Sequence, residues 1–426
     1  MLDIRYIKEN TAIVKENLKR RFQENKAHLV DKAIKNYEEW LSLKKEAEDL
    51  RALRNNLSNE INSLKKQKKD ISDLVQKAKE LPSKIQSIEE KQDLLKHEIS
   101  QIEKQIPNIL HKSVPIGKDE SKNKPGKKYG IIKKFDFKIK NHVELAEQLD
   151  IVDFESSAKT SGKGFYFLQG KLAVLNQALI RFGIDFMLKK KYTLVEPPLM
   201  INKHVVDGVV SFEEFQNMIY KIENEDLYLI GTSEHSLIGK YVNHIIPEDS
   251  LPIKLCSFSS CFRKEIGSHG INEKGLWRTH QFNKVEQIVI CKPEESYKYF
   301  DEILNNSIEI YKKLNIPTRE LSFCSGALGN LKAKQIDIEV YRPTTKQYEE
   351  VGSCSNLTEA QSRLLNIRIA TNNGERIFAH TLNNTAIATS RAMVAIIENY
   401  QQKDGSIKVP TVLQKYTGFK KIEKEK

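Results

Sequence analysis

Cysteine and long apolar runs are scarce in this sequence, and each scarcity excludes a class of protein. Five cysteines occur among 426 residues, without CxxC pairs or the Cys/His spacing of a structural zinc site. An odd cysteine count with no secretory leader favours a reducing compartment, and no window approaches the apolar run of a membrane span. We therefore expect a cytoplasmic protein. The cysteines are Cys256, Cys261, Cys291, Cys324 and Cys354.

Acidic residues are also fewer than basic residues in this sequence. The chain has 57 Asp and Glu residues against 69 Lys and Arg residues, a formal net charge of +12. Such an excess favours a polyanionic partner, although it does not identify one. A hydrophobic content of 39% suffices for a globular body, whereas 30% charged residues indicates an extended, solvated part as well. The length predicts two or more domains.

Apolar residues recur at three- and four-residue steps over two stretches near the amino terminus, residues 34–64 and 71–106. This spacing is the heptad signature of a coiled coil. Because only a short polar stretch, residues 65–70, joins them, we predict a long antiparallel hairpin with legs of roughly 50 Å. Pro82 should kink or interrupt the second leg, since proline lacks an amide proton and crowds the preceding turn.

Two uses of this rod remain open. A coiled coil most often serves dimerisation or spacing. However, lysines crowd the tip of the hairpin, and basic residues along a rigid rod can follow a phosphate backbone, which would give salt-sensitive RNA binding. The basic residues in question are Lys65, Lys66, Lys68 and Lys69 at the tip, with Lys19, Arg20, Arg21, Arg51 and Arg54 along the rod.

A change of composition marks a domain boundary after the rod. Residues 106–129 are rich in Pro, Gly, Lys, Ser and Asp, which break helices and are typical of a linker. We therefore predict an amino-terminal domain over residues 1–110, a linker over 111–130 and a second domain over 131–426.

Residues 261–265 and 279–286 are two strand-like segments joined by a polar, glycine-containing loop. Arg263 supplies a guanidinium that can grip a phosphate in a bidentate way, and Phe282 offers a flat face to a purine. Glycines 267, 270 and 275 would let the loop approach and close over a ligand. The hairpin could hold a nucleotide, but an ordinary charged surface hairpin would show the same pattern.

Three further segments carry candidate site residues. After an Asn-Asn turn in residues 381–391, small and apolar residues at helical spacing predict a helix with Arg391 in its first turns. The strand-like residues 227–234 end in polar groups which, with Glu286, would suit an ammonium and a hydroxyl on a small ligand. Glu350 and Ser353 could offer oxygen ligands to a divalent cation beside phosphates.

Taken together, these segments resemble motifs 2 and 3 of the class II aminoacyl-tRNA synthetases. Within that class, their amino-acid sequences are most similar to those of the seryl-tRNA synthetase family. Residues 172–198 resemble motif 1 of that class, which lies at a subunit interface. The resemblance implies an α+β fold, in which a long antiparallel coiled-coil arm precedes a mixed, mostly antiparallel β-sheet flanked by helices. The matching runs are residues 232–234, 262–265, 280–282, 284–286, 350–356 and 382–391.

The resemblance also implies a role for each site residue. Arg263 would contact the α-phosphate of ATP and the amino-acid carboxylate, and Arg391 the γ-phosphate, which makes them the catalytic pair. Glu350 and Ser353 would hold Mg²⁺. The remaining ATP contacts would be Lys264, Glu265, Thr279, Phe282, Val351 and Gly352. The serine pocket would comprise Thr232, Ser233, Glu234, Arg263, Glu286, Asn383 and Thr385.

The implied reaction is serine activation by ATP followed by transfer to the 3' end of tRNA. The acceptor implied is tRNA(Ser), clasped by the amino-terminal arm, and tRNA(Sec) is a further candidate. A homodimer follows from the motif 1 likeness. The chain departs from the family at five positions: Asn384, Ala386 and Ser390 replace common glycines, Thr385 replaces a common serine, and Lys264 replaces a small polar residue.

Two alternatives stay open. A related amino-acid ligase could load a carrier protein instead of tRNA, but the long rod has no clear use with a small carrier. A catalytically silent paralogue could bind RNA or act as a scaffold, although Arg263, Glu286 and Arg391 together speak against it. Serine-dependent exchange of pyrophosphate into ATP would decide whether the chain is such a silent paralogue.

Overall fold

The computed structural model describes residues 2–211, 218–266 and 274–424. The chain divides into two compact units, Met1–Pro107 and Asn108–Lys426. The first unit is helical. Its helices are α1 Ile4–Glu9, α2 Thr11–Arg20, α3 Ala27–Lys66 and α4 Ser72–Glu103.

Helices α3 and α4 pack against each other as an antiparallel hairpin. Asn36 Nδ2 donates to Glu98 Oε2 (2.9 Å), and Gln92 Nε2 donates to the Leu43 carbonyl (3.1 Å), so residue numbers rise along one helix as they fall along the other. The 40 residues of α3 span about 60 Å and the 32 of α4 about 48 Å. The predicted hairpin is therefore confirmed, with one leg longer than expected. Its buried seam includes Val30, Ala33, Ala47, Leu57, Leu81, Ile85, Ile88 and Ile99.

Pro82 does not interrupt the second leg. It lies inside α4, which continues from Ser72 to Glu103. The proline is exposed, whereas its neighbour Leu81 is buried in the seam. Packing of the apolar seam against α3 therefore outweighs the loss of one main-chain hydrogen bond, and the predicted interruption is wrong.

The second unit is built on an eight-stranded sheet in the order β1-β10-β11-β12-β15-β9-β8-β4. Strands β4 and β8 pair in parallel, and the other neighbouring pairs are antiparallel. The predicted mixed, mostly antiparallel sheet is thus confirmed. The strands are β1 Lys124–Tyr129, β2 Val152–Asp153, β3 Phe167–Leu168, β4 Thr193–Leu194, β5 Met200–Ile201, β6 Tyr228–Leu229, β7 Ile245–Pro247, β8 Ile253–Phe262, β9 Gln281–Cys291, β10 Thr318–Ser322, β11 Lys334–Arg342, β12 Gln347–Thr358, β13 Arg368–Ala370, β14 Arg376–Phe378, β15 His380–Ala388, β16 Ile407–Lys408 and β17 Lys421–Ile422.

Helices of this unit cover the face of the sheet that holds the main core. Helix α7 packs on β8, β9 and β15, and α10 packs on β12 and β15. A side chain at Gly183 would put its Cβ 2.9 Å from Ile387, so glycine lets α7 approach the sheet closely. The helices are α5 His142–Leu149, α6 Phe154–Ser161, α7 Gly170–Lys189, α8 Lys203–Val209, α9 Ser233–Gly239, α10 Ser296–Lys313, α11 Ala360–Leu365, α12 Thr389–Tyr400 and α13 Thr411–Thr417.

Two local predictions differ from the structure. The expected linker over residues 111–130 contains strand β1, which pairs with β10 at the edge of the sheet; Pro125 is tolerated there because an edge strand leaves one side unpaired. The expected turn at Asn383 and Asn384 lies inside β15, because β9 and β12 pair with it on both sides. Helix α12 begins only at Thr389 and carries Arg391 in its first turn, as predicted.

Among the helices of the described ranges, none is both long enough and apolar enough to cross a membrane.

Candidate active site

A cavity of about 280 Å³ lies on the face of β9, β12 and β15 that points away from α7 and α10, and it collects most of the predicted site residues. Arg263 follows β8 and Arg391 lies in the first turn of α12, yet both line this one cavity. The predicted residues that line it are Thr232, Glu234, Arg263, Glu265, Thr279, Phe282, Glu350, Val351, Gly352, Ser353, Asn383, Thr385 and Arg391.

Arg263 is held where the β8–β9 hairpin opens. Its Nε donates to the Gly231 carbonyl (3.1 Å), and its main-chain nitrogen donates to the His280 carbonyl (2.9 Å). The guanidinium lies 5.3 Å from the centre of the Phe282 ring. An arginine and an aromatic face are therefore held side by side, which is the arrangement that the sequence predicts for phosphate and base recognition.

Arg391 is anchored to two elements of the cavity wall. Its Nη1 lies 3.1 Å from Glu350 Oε2 and donates to the Glu350 carbonyl (3.0 Å), while its Nε donates to the Trp277 carbonyl (3.3 Å). Burial alone would lower the pKa of Arg391, but the Glu350 carboxylate raises it overall. The guanidinium therefore stays charged and fixed in direction.

One end of the cavity is suited to a small cationic group. Thr232 caps α9, and the first turn of this helix presents Glu234, which accepts hydrogen bonds from Gln361 Nε2 (2.8 Å) and Asn383 Nδ2 (2.7 Å). Burial, with the nearby Glu286 charge, raises the pKa of Glu234 to about 7. A buried carboxylate held by neutral amides gains from binding an ammonium group.

Two predicted pocket residues lie behind the cavity surface. Glu286 is fully buried; it forms an ion pair with Lys284 Nζ (2.5 Å) and accepts a hydrogen bond from Thr232 Oγ1 (3.2 Å). It thus reaches the cavity through Thr232 and Lys284. Ser233 is fully buried in the first turn of α9. Neither residue is among those lining the cavity.

Oxygen donors gather at the other end. Asp337 and Ser353 face each other across β11 and β12, and Glu350 lies on the same strand as Ser353. Burial and the Glu350 charge raise the pKa of Asp337. Burial would also raise the pKa of Glu350, but Arg391 and Arg263 lower it overall. Carboxylate and hydroxyl oxygens are ligands that a hard divalent cation prefers.

The remaining predicted nucleotide contacts divide into two groups. Glu265 lines the cavity and pairs with Arg278 Nη1 (2.9 Å). Thr279 also lines it, whereas Lys264 does not: its ammonium lies 5.8 Å from the centre of the Tyr220 ring. Glycines 267 and 270, predicted to act in a closing loop, lie outside the described residues.

The residues that depart from the family pattern do not all lie on the cavity side of the sheet. Thr385 and Ser390 line the cavity, but Asn384 is fully buried on the opposite side, where its Nδ2 donates to Ser307 Oγ (2.8 Å) and the Ile303 carbonyl (2.6 Å) of α10. Gly352 lets Thr385 approach, because an added Cβ would lie 3.1 Å from the Thr385 Cβ.

Sequence reasoning missed several residues that line the cavity. Lys284 has a signal in the pattern, because Phe282, Lys284 and Glu286 alternate on one face of β9. Lys332 lies in a loop before β11 and gives no such signal. His235 is buried beside Arg263 and Lys284, and burial, with these cations, lowers its pKa to about 3. The others include Trp277, Arg278, Gln335 and Asp337.

Comparison with known proteins gives consistent likenesses over the whole chain. Residues 1–110 match the seryl-tRNA synthetase N-terminal domain, and residues 217–400 match the tRNA synthetase class II core domain (G, H, P, S and T). The chain is 44% identical over 424 residues to a serine–tRNA ligase of Methanospirillum hungatei, covering 99% of this chain and 100% of that protein.

Two solved structures share this fold at full length. Seryl-tRNA synthetase from Pyrococcus horikoshii complexed with ATP superposes with a TM-score of 0.95 at 41% identity, covering 100% of both chains. Cytoplasmic serine–tRNA ligase from Naegleria fowleri in complex with AMP superposes with a TM-score of 0.89 at 33% identity, covering 100% of this chain and 99% of that one.

Proposed function

The chain belongs to the seryl-tRNA synthetase family of class II synthetases, and we propose that its cavity activates L-serine with ATP and transfers the seryl group to tRNA(Ser). One observation supports this assignment above the others. Arg263 and Arg391, 128 positions apart in sequence, line one cavity together with Glu234 and Asn383. A triphosphate and an amino acid can thus be held in contact.

The serine end consists of Thr232, Glu234, Asn383 and Thr385 at the surface, with Glu286 behind them. The Glu234 carboxylate would receive the serine ammonium. The Thr232 hydroxyl donates a hydrogen bond to Glu286. Thr232 and Glu286 together would form the polar part of the pocket that recognises the serine hydroxyl. Such a pocket rejects alanine by roughly 10⁴-fold, since alanine leaves its buried polar groups unpaired. Threonine must be excluded by lack of space.

The nucleotide end is assigned by the same geometry. Phe282 would stack on the adenine, Glu265 and the Thr279 main chain would border it, and Arg391 would bind the γ-phosphate. Arg263 stands beside Phe282 and would bridge the α-phosphate and the serine carboxylate. Lys264 stays a proposed nucleotide contact, although its side chain lies over Tyr220. Val351 and Gly352 form the adjoining wall.

The donor set at the cavity end fits Mg²⁺. Within the described ranges, no three His, Cys, Asp or Glu side chains cluster as a metal site, which agrees with a Mg²⁺ bound by one or two protein groups and by substrate phosphates. Glu350 and Ser353 would hold it. When bound, the ion would neutralise phosphate charge; the protein side chains orient the two substrates around it.

The activation step needs no side-chain base. A serine carboxylate oxygen bonds to the α-phosphorus, the bond from that phosphorus to the bridging oxygen of the β-phosphate breaks, and pyrophosphate leaves. In the second step the terminal hydroxyl of tRNA attacks the acyl carbon, the bond from that carbon to the phosphate oxygen breaks, and AMP leaves, its phosphate taking the hydroxyl proton. Two anions must meet in the first step, so catalysis is positioning and charge neutralisation.

The partners beyond the cavity are also proposals. The α3–α4 hairpin would clasp tRNA through its lysine-rich tip, and tRNA(Sec) is a further candidate acceptor. A homodimer through motif 1 is supported by apolar side chains that are exposed from the end of α7 to the start of β5: Leu188, Leu194, Leu199 and Met200. We also propose a cytoplasmic location and retain the predicted domains, residues 1–110 and 131–426, around the segment 111–130.

Serine-dependent pyrophosphate exchange into ATP tests the proposal. We expect exchange with serine, far less with alanine or threonine, and a loss of roughly 10³-fold in R391Q, because a fixed cation on the phosphates is removed. R376Q is the matched control: Arg376 is exposed on β14 and does not line the cavity. It should leave exchange unchanged.

Two outcomes would contradict the assignment. Equal exchange with threonine would overturn the substrate, and no exchange with any amino acid would point to the silent paralogue. Charging of tRNA(Ser) against loading of a carrier protein separates the remaining alternative. The match of residues 1–110 to the seryl-tRNA synthetase N-terminal domain favours tRNA.

A further inference from the structure

Lys332 is a cation of the cavity wall that has no role in the reaction described above. It lies in the loop between β10 and β11, half-buried, with its side chain on the cavity. Buried neighbours on both sides, Leu331 and Ala333, fix the loop, and the Ala333 main-chain nitrogen donates to the Asn356 carbonyl of β12 (2.9 Å). The lysine is thus carried by an anchored segment.

A short chain of hydrogen bonds directs the lysine head. Lys332 Nζ donates to Gln335 Oε1 (2.8 Å), and Gln335 Nε2 donates to Asp337 Oδ1 (2.7 Å). Gln335 and Asp337 are two positions apart on β11, so both side chains stand on the face of the sheet that forms the cavity. The ammonium is therefore held over the sheet at this row of residues.

The pairing of β11, β12 and β15 places this row between the two ends of the cavity. Gln335 pairs with Ser355, and Ser355 pairs with Asn383, which bonds Glu234 at the serine end. The adjacent row pairs Asp337 with Ser353 at the cation end. Lys332 is thus bonded to the strand at the point where the serine end meets the phosphate end.

The effect of the Lys332 charge on the pKa values of two cavity carboxyl groups agrees with this position. Burial raises the pKa of Glu234 and Glu286 raises it further, whereas the Lys332 charge acts in the opposite direction. At the other end burial raises the pKa of Glu350, and Arg391, Arg263 and also Lys332 oppose that rise. The field of one lysine therefore reaches both carboxylates that border the two substrates.

We propose that Lys332 is a further catalytic residue, whose ammonium binds the serine carboxylate and a non-bridging α-phosphate oxygen as the acyl phosphate bond forms. This inference rests on the proposed function and names a residue of the same site. The carboxylate and the triphosphate repel each other, and the positive charge of Lys332 offsets that repulsion while pyrophosphate leaves. The role of Lys332 is electrostatic, and it transfers no proton.

Three variants of the full chain test this role: K332Q, K332R and K334Q. Glutamine at 332 keeps a donor for Gln335 but removes the charge, and arginine keeps the charge. Lys334 is the matched control, because it lies two residues away, is also half-buried and places its ammonium 4.7 Å from the centre of the Phe300 ring instead of lining the cavity. Serine-dependent exchange is measured at saturating ATP, with thermal unfolding alongside.

We expect K332Q to lower the kcat of exchange by about 10²-fold, K334Q to leave it unchanged, and K332R to retain most of it, all with unaltered thermal unfolding. Normal exchange in K332Q overturns the inference. So does an equal loss in K332R, or failure of K332Q and the second neutral variant K332M to fold, because the role would then be structural. Exchange absent from the unsubstituted protein overturns the proposed function itself, which separates the two failures.

Discussion

Glu234 governs how the serine end responds to pH. The carboxylate is buried among the amides of Gln361 and Asn383, and burial, with Glu286 nearby, raises its pKa to about 7. Only the ionised form attracts an ammonium strongly. As pH falls through 7 the carboxyl becomes protonated, so serine binding weakens on the acid side and is complete on the alkaline side.

We expect kcat/KM for serine to rise about 10-fold per pH unit below 7 and to level off above it. E234Q should lower kcat/KM for serine and lose this acid limb, while KM for ATP changes little. Pyrophosphate exchange between pH 5.5 and 8.5 measures both. An unchanged acid limb in E234Q would show that another group titrates.

Asn383 and Asn384 are neighbours on β15, but their side chains lie on opposite faces of the sheet and serve different purposes. Asn383 faces the cavity and donates to Glu234, whereas Asn384 faces α10 and donates to Ser307. Ser307 Oγ in turn donates to the Thr385 carbonyl (2.7 Å). The buried network therefore supports the strand that carries the pocket.

N384A should lower the free energy of unfolding by about 1–3 kcal/mol, because it removes two buried hydrogen bonds to α10, although Gln287 Nε2 still donates to the same two acceptors. Exchange per folded molecule should be retained. N383A is its matched partner and should do the reverse, lowering kcat/KM for serine with little loss of stability. Denaturant unfolding and exchange assays on both variants check the pair, and similar profiles would contradict the assignment of faces.

At the scale of elements, α4 tolerates a residue that helices avoid. Pro82 removes a main-chain hydrogen bond within the helix, yet Leu81 and Ile85 on the adjoining face stay buried against α3. The seam therefore stabilises a helix that its local sequence weakens. The exposed position of the proline means that it adds nothing to the packing.

Replacing this proline should stabilise the hairpin. We expect P82A to raise the free energy of unfolding of the helical unit by roughly 1–3 kcal/mol, since it restores a donor and relieves crowding in the helix. S83A, at the next exposed position, is the control and should change it by only a few tenths. Helical circular dichroism during thermal unfolding reports both, and a lower midpoint for P82A would contradict the expected gain in stability.

At the scale of the whole molecule, the residues proposed for tRNA binding and those proposed for amino-acid activation lie in separate compact units, Met1–Pro107 and Asn108–Lys426. Every residue lining the cavity belongs to the second unit, and the tip lysines belong to the first. Amino-acid activation and tRNA capture should therefore be separable by mutation.

Deletion of residues 36–104, joined by a short glycine-serine linker, should leave serine-dependent exchange intact and abolish tRNA charging. A milder variant replaces Lys65, Lys66, Lys68 and Lys69 by serine and should raise KM for tRNA and flatten its salt dependence, because fewer counterions are released. Charging kinetics at several salt concentrations test this. Unchanged charging after the deletion would contradict the arm proposal.

The sequence by itself determined the elements and the chemistry of this protein. Heptad spacing in residues 34–106 predicted the hairpin because the 3.5-residue period has one structural meaning over such lengths. Alternation along residues 281–291 holds a further signal, because Phe282, Lys284 and Glu286 share one face of a strand, and it could have led to Lys284. Arg263 and Arg391 could be chosen because few side chains bind phosphates as well as arginine.

Only the tertiary structure decided which residues meet. Strand pairing places Lys332 and Gln335 beside the same cavity as Asn383, which comes much later in the sequence, and it buries Glu286 behind Thr232. It also makes an edge strand of a lysine-rich segment and keeps α4 continuous through Pro82. The physical reason is that long-range pairing and burial outweigh local preferences, and neither is encoded in any short stretch of residues.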